Sequence, residues 1–194
     1  MRIAIFSNAY KPAISGVVTS IARFKKGLQS LGHQVHIFAP EYENFVDSEP
    51  YIFRFPALDL SEQLNVSVVV PIRNLMWPSV RAIKPALIHS QHPILMGDIA
   101  ASFASELDIP LVFTFHTQYE KYAQFYSPIA GRLAGRITEE VVDRYLAQCD
   151  HVIVPTESIR EMLVDEFGLT DRVSVVPTPV DLQAFEDLQA GTIK

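Results

Sequence analysis

The chain has 194 residues, of which 48% are hydrophobic and 20% are charged. This composition predicts one folded domain with a substantial core and excludes a disordered protein. The formal net charge of -6 argues against a nucleic-acid-binding protein, because no basic stripe outweighs the acidic groups.

Strand and helix signals alternate through the first half of the chain. Apolar runs predict strands over 3–6, 34–40, 51–55 and 86–90, and the alternation in the third run suits a strand near a sheet edge. A helix follows the first strand and ends at Gly32, and a second helix is predicted over 74–84. The buried face predicted for the first helix is Ile21, Phe24, Leu28 and Leu31. The section 56–71 has no clear periodicity.

The alternation continues through the second half. Ser127 and Pro128 open the longest predicted helix as its N-cap and first helical residue, and this helix ends near Cys149. Its predicted buried stripe is Ile129, Leu133, Ile137, Val141, Tyr145 and Leu146. The other predicted elements are a helix over 97–107, a strand over 111–116, a strand over 151–155, a helix from Thr156 to a stop at Gly168, and a strand over 173–177.

These repeated strand–helix units predict a Rossmann-like α/β domain, with a doubly wound, mostly parallel sheet and helices on both faces. We expect the domain to cover residues 1–180. Residues 181–194 have no core-forming pattern and are predicted to begin a linker.

The loop from Tyr10 to Ser20 joins the first strand to the first helix. The first free N–H groups of that helix point at the loop mouth, at the positive end of the helix dipole. Gly16 has no Cβ, so a phosphate or an anionic sugar derivative could approach the backbone there. A plain strand-to-helix turn is the alternative interpretation.

Polar residues follow four of the predicted strands. They lie at or just beyond the carboxyl ends of these strands: Ser7-Asn8, His89-Ser90-Gln91-His92, His116-Thr117-Gln118-Tyr119 and Thr156-Glu157. Because ligands of such a sheet bind outside the carboxyl ends of its strands, these groups predict one functional rim. His116 can hydrogen-bond a sugar hydroxyl or shield developing positive charge there, or it caps its strand through backbone contacts.

Other chemistries lack their motifs. The chain has no Gly-x-Ser-x-Gly elbow, no Gly-x-x-x-x-Gly-Lys-Ser/Thr loop and no Gly-x-Gly-x-x-Gly after the first strand, which argues against a serine hydrolase, a phosphate-loop NTPase and a nicotinamide enzyme. His89 and His92 lack the spacing of two metal ligands on one helix, so we expect no metal site.

The number of cysteines and the lack of a recognisable targeting signal bear on the cellular location of the protein. Cys149 is the one cysteine, which excludes a disulfide framework and is typical of a reducing environment. The sequence has neither a signal peptide nor an apolar run of about 18 residues. We therefore expect a cytoplasmic protein.

Five segments resemble a known family. They are Tyr10-Lys11-Pro12 through Gly16-Val17-Val18-Thr19-Ser20, Ile88-His89-Ser90-Gln91, Thr114 to Glu120, Val154-Pro155-Thr156-Glu157, and Val176 to Asp181. In this order they resemble the N-terminal domain of the family 4 glycosyltransferases, which have the GT-B fold of two Rossmann-like domains. The chain is most similar to bacterial diacylglycerol glucosyltransferases and phosphatidylinositol mannosyltransferases.

The resemblance implies sugar transfer from a nucleotide-sugar to a sugar or lipid acceptor, with retention at the anomeric carbon and without a metal or other cofactor. It implies that Gly16 and Val17 approach the donor diphosphate and that His116 is the catalytic residue touching the donor sugar. The acceptor-binding residues would be Tyr10, Gln91, His92, Thr117 and Tyr119.

The chain departs from the family pattern in two turns. The family often has two adjacent glycines in the first loop, where this chain has Ser15 before Gly16. Pro179 stands at the glycine position of the family's turn at the domain junction, so we expect a different turn geometry there.

The family's second Rossmann-like domain supplies the nucleotide pocket, basic residues for the diphosphate and a paired-glutamate motif. This chain stops where that domain would begin, so the resemblance implies an acceptor-binding half that is inactive by itself. The alternative function is a non-catalytic Rossmann-like module that binds a sugar or a phosphate.

The segment from Leu64 to Trp77 allows two predictions. It is rich in valine, ends in Leu75-Met76-Trp77 and lies near basic residues such as Arg73. Exposed beside the cleft, it would make a peripheral contact with the inner face of a membrane. Alternatively, the valines form a strand and Leu75-Met76-Trp77 packs into the core.

Overall fold

The computed structural model describes residues 1–59, 67–69, 73–116 and 131–178. The strands in these residues are β1 (Arg2–Phe6), β2 (Gln34–Pro40), β3 (Ile52–Phe55), β4 (Ala57–Asp59), β5 (Ser67–Val69), β6 (Leu87–Ser90), β7 (Leu111–Thr114), β8 (His151–Val154) and β9 (Val173–Val175). The helices are α1 (Gly16–Ser30), α2 (Arg73–Ile83), α3 (Met96–Leu107), α4 (Gly131–Gln148) and α5 (Glu157–Phe167).

Seven strands form a sheet in the order β3-β2-β1-β6-β7-β8-β9, and each neighbouring pair is parallel. This arrangement confirms the predicted Rossmann-like sheet, and β3 lies at an edge as its alternating sequence indicated. The strand order reverses between β1 and β6, because the chain winds outward from β1 to β3 and then outward from β6 to β9. In open α/β sheets, ligands bind at such a reversal, beyond the carboxyl ends of the strands.

Alternation along β1 divides the core between the two faces of the sheet. Ile3 and Ile5 belong to a smaller cluster with Val18 and Ile21 of α1, whereas Phe6 belongs to a larger cluster. Buried residues of α2, α3, α4 and α5 all join the larger cluster, so these helices pack on the face opposite α1. Coverage of both faces explains why β1 is apolar at every position from Ile3 to Phe6.

Two predicted helix faces differ from the structure. Leu31 is not part of the buried face of α1: it is the C-cap and 73% exposed, because Gly32, with φ of +81°, ends the helix there. In α4 the buried residue is Val142, whereas Val141 is half-buried. Val142 shares one helical face with Tyr145, Leu146 and Cys149, and this face determines the rotation of the helix.

The helix α5 has the predicted ends. Thr156 caps it by accepting a hydrogen bond from the Ile159 N–H at 3.4 Å, and Gly168 ends it with φ of +65°. In the section without periodicity, β4 and β5 form a short antiparallel pair.

Several predictions lie outside the described residues. They are the helix start at Ser127-Pro128, the burial of Ile129, Leu133 and Ile137, the roles of Thr117 and Tyr119, the turn at Pro179, and the linker 181–194.

Candidate functional site

Asn8 joins the two loops that flank the reversal of strand order. Its backbone N–H donates to Nδ1 of His92 at 3.2 Å. Its side-chain amide donates to the Ile94 carbonyl at 3.2 Å, and its Oδ1 accepts a hydrogen bond from the Met96 N–H at 3.1 Å. Asn8 follows β1 and its partners follow β6, so these hydrogen bonds join the two loops on the rim that the sequence predicts, where ligands of open α/β sheets bind.

Helix α3 begins directly against the His92 segment. A Cβ on Gly97 would lie 2.0 Å from the His92 carbonyl oxygen, much closer than a real Cβ approaches an oxygen. Tyr145, in α4, donates from its hydroxyl to the Gly97 carbonyl at 3.3 Å. The close packing of α3 on the His92 segment therefore depends on the missing side chain of Gly97, which was not among the predicted site residues. An isolated glycine in a helical pattern is the signal that could have indicated this close approach.

His116 follows β7 and lies beside Gln91, which follows β6. Nε2 of His116 is 2.7 Å from Oε1 of Gln91. Gln91 is fully buried, and its backbone N–H donates to the Phe6 carbonyl of β1 at 3.0 Å. The ends of the three central strands thus bring His116, Gln91 and His92 together.

Burial keeps these histidines neutral at pH 7. Burial lowers the pKa of His116 to about 4. Burial and the adjacent His116 lower the pKa of His92 to about 4 and that of His89 to about 3. Nε2 of His89 is 2.7 Å from the Thr114 hydroxyl. A neutral imidazole offers one N–H donor and one lone-pair acceptor, so the rim carries polar groups without positive charge.

Helix α1 begins on the same rim. Ser15 is its N-cap, and its Oγ accepts a hydrogen bond from the Val18 N–H at 3.2 Å. Among the described residues, the N–H groups of Gly16 and Val17 have no partner. A Cβ on Gly16 would meet no atom within 4 Å, so the packing of this chain does not itself require glycine there.

Tyr10 packs away from Gln91 and His92, the other predicted acceptor residues that the structure describes. Its ring is fully buried in the cluster beneath α1, and its hydroxyl lies 3.5 Å from Oε2 of Glu49. Burial and the negative charge of Glu49 raise the pKa of Tyr10, against the opposing effect of Arg54. The ring supports the loop that leads to Gly16, and its contact with an acceptor stays a prediction.

Five charged residues, which we call the loop clasp, hold this loop against the β2–β3 loop. Arg54 donates to both carboxylate oxygens of Asp47 at 2.7 and 2.9 Å and to the Lys11 carbonyl at 2.6 Å. Glu49 accepts hydrogen bonds from Lys11 and from Lys25 of α1, the latter at 2.8 Å. Lys11 and Lys25 lie 38 and 24 positions from Glu49, so no local pattern indicated the loop clasp.

The segment with two alternative predictions packs into the core at Met76 and Trp77. Met76 is fully buried, and Trp77 is half-buried beneath the Arg73 guanidinium, which lies 5.3 Å from the ring centroid. Arg73 also forms an ion pair with Glu106 of α3. The core prediction is confirmed for these two residues and wrong for Leu75, which is 52% exposed.

The described ranges contain neither a cluster of metal ligands nor a membrane-spanning helix. No three His, Cys, Asp or Glu side chains gather there as the ligands of a metal ion would. None of the helices in those ranges is both long and apolar enough to cross a bilayer. Transfer without a metal and a peripheral membrane position stay predictions.

The fold recurs in a solved protein structure of about twice the length. Sucrose-phosphate synthase from Thermosynechococcus elongatus matches with a TM-score of 0.71 over 94% of this chain and 49% of that chain. The two sequences are 14% identical, so this likeness establishes the fold only.

Two relatives are closer in sequence, and both are named alpha-monoglucosyldiacylglycerol synthase. The relative from Acholeplasma laidlawii is 29% identical over 192 residues, which cover 95% of this chain and 48% of the relative. The relative from Streptococcus pneumoniae is 30% identical over 187 residues, which cover 96% of this chain and 42% of the relative. The chain therefore spans about half the length of the curated relatives it matches.

The sequence profile of Glycosyltransferase Family 4 matches residues 14–184. This range begins just before Gly16 and includes Gln91, His92 and His116, the residues that meet at the reversal of strand order. The motifs, the parallel sheet and this match agree, and the chain belongs to glycosyltransferase family 4.

Proposed function

We propose that the protein carrying this chain transfers a sugar from a nucleotide-sugar to an acceptor with retention, and that this chain supplies the acceptor-binding half of the cleft. The observation that carries the proposal is the meeting of His116, Gln91 and His92 at the reversal of strand order, on the same rim as the start of α1. Family membership supports the reaction class.

The proposed acceptor is a lipid such as diacylglycerol. The support is the printed name of the two glucosyldiacylglycerol synthases to which the chain is similar over nearly its whole length. A lipid acceptor would bring the protein to the inner face of a membrane as a peripheral protein. The proposal includes no metal or other cofactor, in line with the family resemblance.

His116 suits a reaction in which positive charge develops on the donor sugar. Because burial lowers the pKa of His116 to about 4, its imidazole is neutral at pH 7 and does not repel an oxocarbenium-like centre. Its ring can instead hydrogen-bond a sugar hydroxyl. Such a preorganised contact is worth most in a site from which water is excluded.

The start of α1 suits the donor diphosphate. The N–H groups of Gly16 and Val17, free among the described residues, lie at the positive end of the helix dipole. The open space around Gly16 would let a phosphate reach the backbone.

The proposal is tested by His116→Ala in the complete product of the gene. We expect kcat for sugar transfer to fall by about 100-fold, which corresponds to roughly 3 kcal/mol of lost transition-state stabilisation. His33→Ala, near the opposite end of the sheet, is the matched control and should leave kcat unchanged. Equal activity of the His116 variant and the parent protein would contradict the proposal.

A further inference from the structure

The side chain of Gln91 is fully buried, and only one of its two polar atoms has a hydrogen-bond partner among the described residues. Its Oε1 is 2.7 Å from Nε2 of His116, whereas its Nε2 has no partner among the described residues. Buried polar atoms are nearly always hydrogen-bonded, so a glutamine kept for packing would be satisfied at both ends. A buried amide whose N–H groups lack a partner, at the ligand-binding rim of the sheet, is typical of a residue that serves a site.

The contact with Gln91 decides where the proton of His116 lies. An amide oxygen can only accept a hydrogen bond, so Nε2 of His116 must be the donor. A neutral imidazole has one N–H group, so Nδ1 of His116 then carries the lone pair. Nδ1 becomes the atom that can accept a hydrogen bond from a hydroxyl group.

His92 has a related arrangement through a different contact. Its Nδ1 accepts a hydrogen bond from the Asn8 backbone N–H at 3.2 Å, so its proton is on Nε2. A backbone group thus determines the tautomer of His92. His116 depends for the same purpose on one side chain, that of Gln91.

We propose that Gln91 is a positioning residue that holds His116 in the Nε2–H tautomer, with Nδ1 presented as the acceptor for a hydroxyl of the bound sugar. The role toward the sugar rests on the proposed function. The tautomer itself is a property of the chain and can be measured without a substrate.

The test is nuclear magnetic resonance of the 194-residue chain, with long-range proton–nitrogen correlations that report which ring nitrogen of His116 is protonated. The wild type should show the Nε2–H tautomer at pH 7 and a titration midpoint of about 4. Gln91→Leu removes the acceptor and should produce a mixture of tautomers. Gln91→Glu keeps the acceptor and adds a negative charge, so the tautomer should persist while the midpoint rises by about one pH unit or more.

Gln148→Leu is the matched control, because Gln148 is an exposed glutamine in α4 whose amide donates to the Arg144 carbonyl. This variant should leave the His116 signals unchanged. An Nδ1–H tautomer in the wild type would overturn the proposal, since the Gln91 amide would then have to point its nitrogen at His116. An unchanged tautomer in Gln91→Leu would overturn it as well.

A pH profile of the complete gene product separates positioning from a merely structural role. Gln91→Leu should lower kcat by about tenfold across the range. Gln91→Glu should approach the wild-type kcat at pH 8, where His116 is neutral, and lose activity as the pH falls toward 5. Equal profiles of both variants would overturn the proposal. Failure of the wild type to transfer sugar would count against the proposed function only, because the tautomer is read from the chain itself.

Discussion

At position 97, the absence of a single Cβ lets α3 approach the loop that carries His92. Gly97→Ala would place that Cβ 2.0 Å from a backbone oxygen, which cannot move aside as a flexible side chain can. We expect the free energy of unfolding to fall by about 2 kcal/mol or more, measured by urea denaturation.

Gly27→Ala is the control for this change. Gly27 lies in α1, and a Cβ there would meet no atom within 4 Å. The same substitution should therefore stabilise the protein by about 0.5 to 1 kcal/mol, because alanine is the better helix former. Equal effects at the two positions would show that the close approach at Gly97 has no energetic consequence.

Gly16 differs from Gly97, because the chain leaves open space around it. Gly16→Ala should keep or slightly raise the thermal unfolding midpoint, since alanine favours the helix that begins there. The added methyl group would hinder a phosphate that approaches the Gly16 and Val17 N–H groups. We expect weaker nucleotide-sugar binding by calorimetry in the complete gene product. An unchanged affinity for the nucleotide-sugar would contradict the proposed binding of the diphosphate at this loop.

Among the elements, the first loop and the start of α1 owe their placement to the loop clasp. Lys25 projects from α1 and is 3% exposed, so its charge depends on Glu49 and on the Pro50 carbonyl at 3.1 Å. Burial disfavours the charged form of Glu49, but hydrogen bonds from Lys11 and Lys25 hold its pKa below the usual value. The clasp thus links α1 to the β2–β3 loop through charged side chains.

Glu49→Gln would leave the buried Lys25 ammonium without its counterion. We expect a loss of about 2 kcal/mol in the free energy of unfolding, because an uncompensated buried charge is costly. Glu43→Gln, at an exposed position of the same loop, makes the same chemical change and should have almost no effect. If urea denaturation gives equal midpoints for the two variants, Glu49 does not stabilise Lys25.

At the scale of the whole molecule, buried histidines make stability depend on pH. His36, His89, His92 and His116 all have a pKa below the ordinary 6.5, mainly because burial disfavours their charged forms. The unfolded chain therefore binds more protons than the folded protein below pH 6.5. The stabilisation is complete above pH 6.5 and is lost as the pH falls toward 4.

Urea denaturation between pH 7 and pH 5 should reveal this loss. Each of the four histidines contributes at most about 1.4 kcal/mol per pH unit within the window. His36 offers the cleanest variant, because both its ring nitrogens lack partners among the described residues and its ring lies 4.9 Å from that of Tyr51. His36→Phe should stabilise the protein at pH 7 and reduce the slope. If the free energy of unfolding stays constant from pH 7 to pH 5, the conclusion that these histidines are buried and neutral is wrong.

The sequence by itself predicted most of the elements, the parallel fold class, the rim where His116, Gln91 and His92 meet, and the family. These properties follow from local signals: apolar runs for strands, Gly32 and Gly168 as helix stops, and motifs at the strand ends. Local signals reach only a few residues along the chain. They therefore identified α4 but not its rotation about its axis. The prediction buried Val141, whereas the structure buries Val142.

Only the tertiary structure decided which polar groups meet. Asn8 and His92 are 84 positions apart, and Gln91 and His116 are 25 apart, so their hydrogen bonds exist only because β1, β6 and β7 are neighbours. The same holds for the contact between Gly97 and the His92 carbonyl, which is possible only because residue 97 has no Cβ. Burial, tautomer and pKa depend on what surrounds a side chain in space, and a position along the chain does not contain that information.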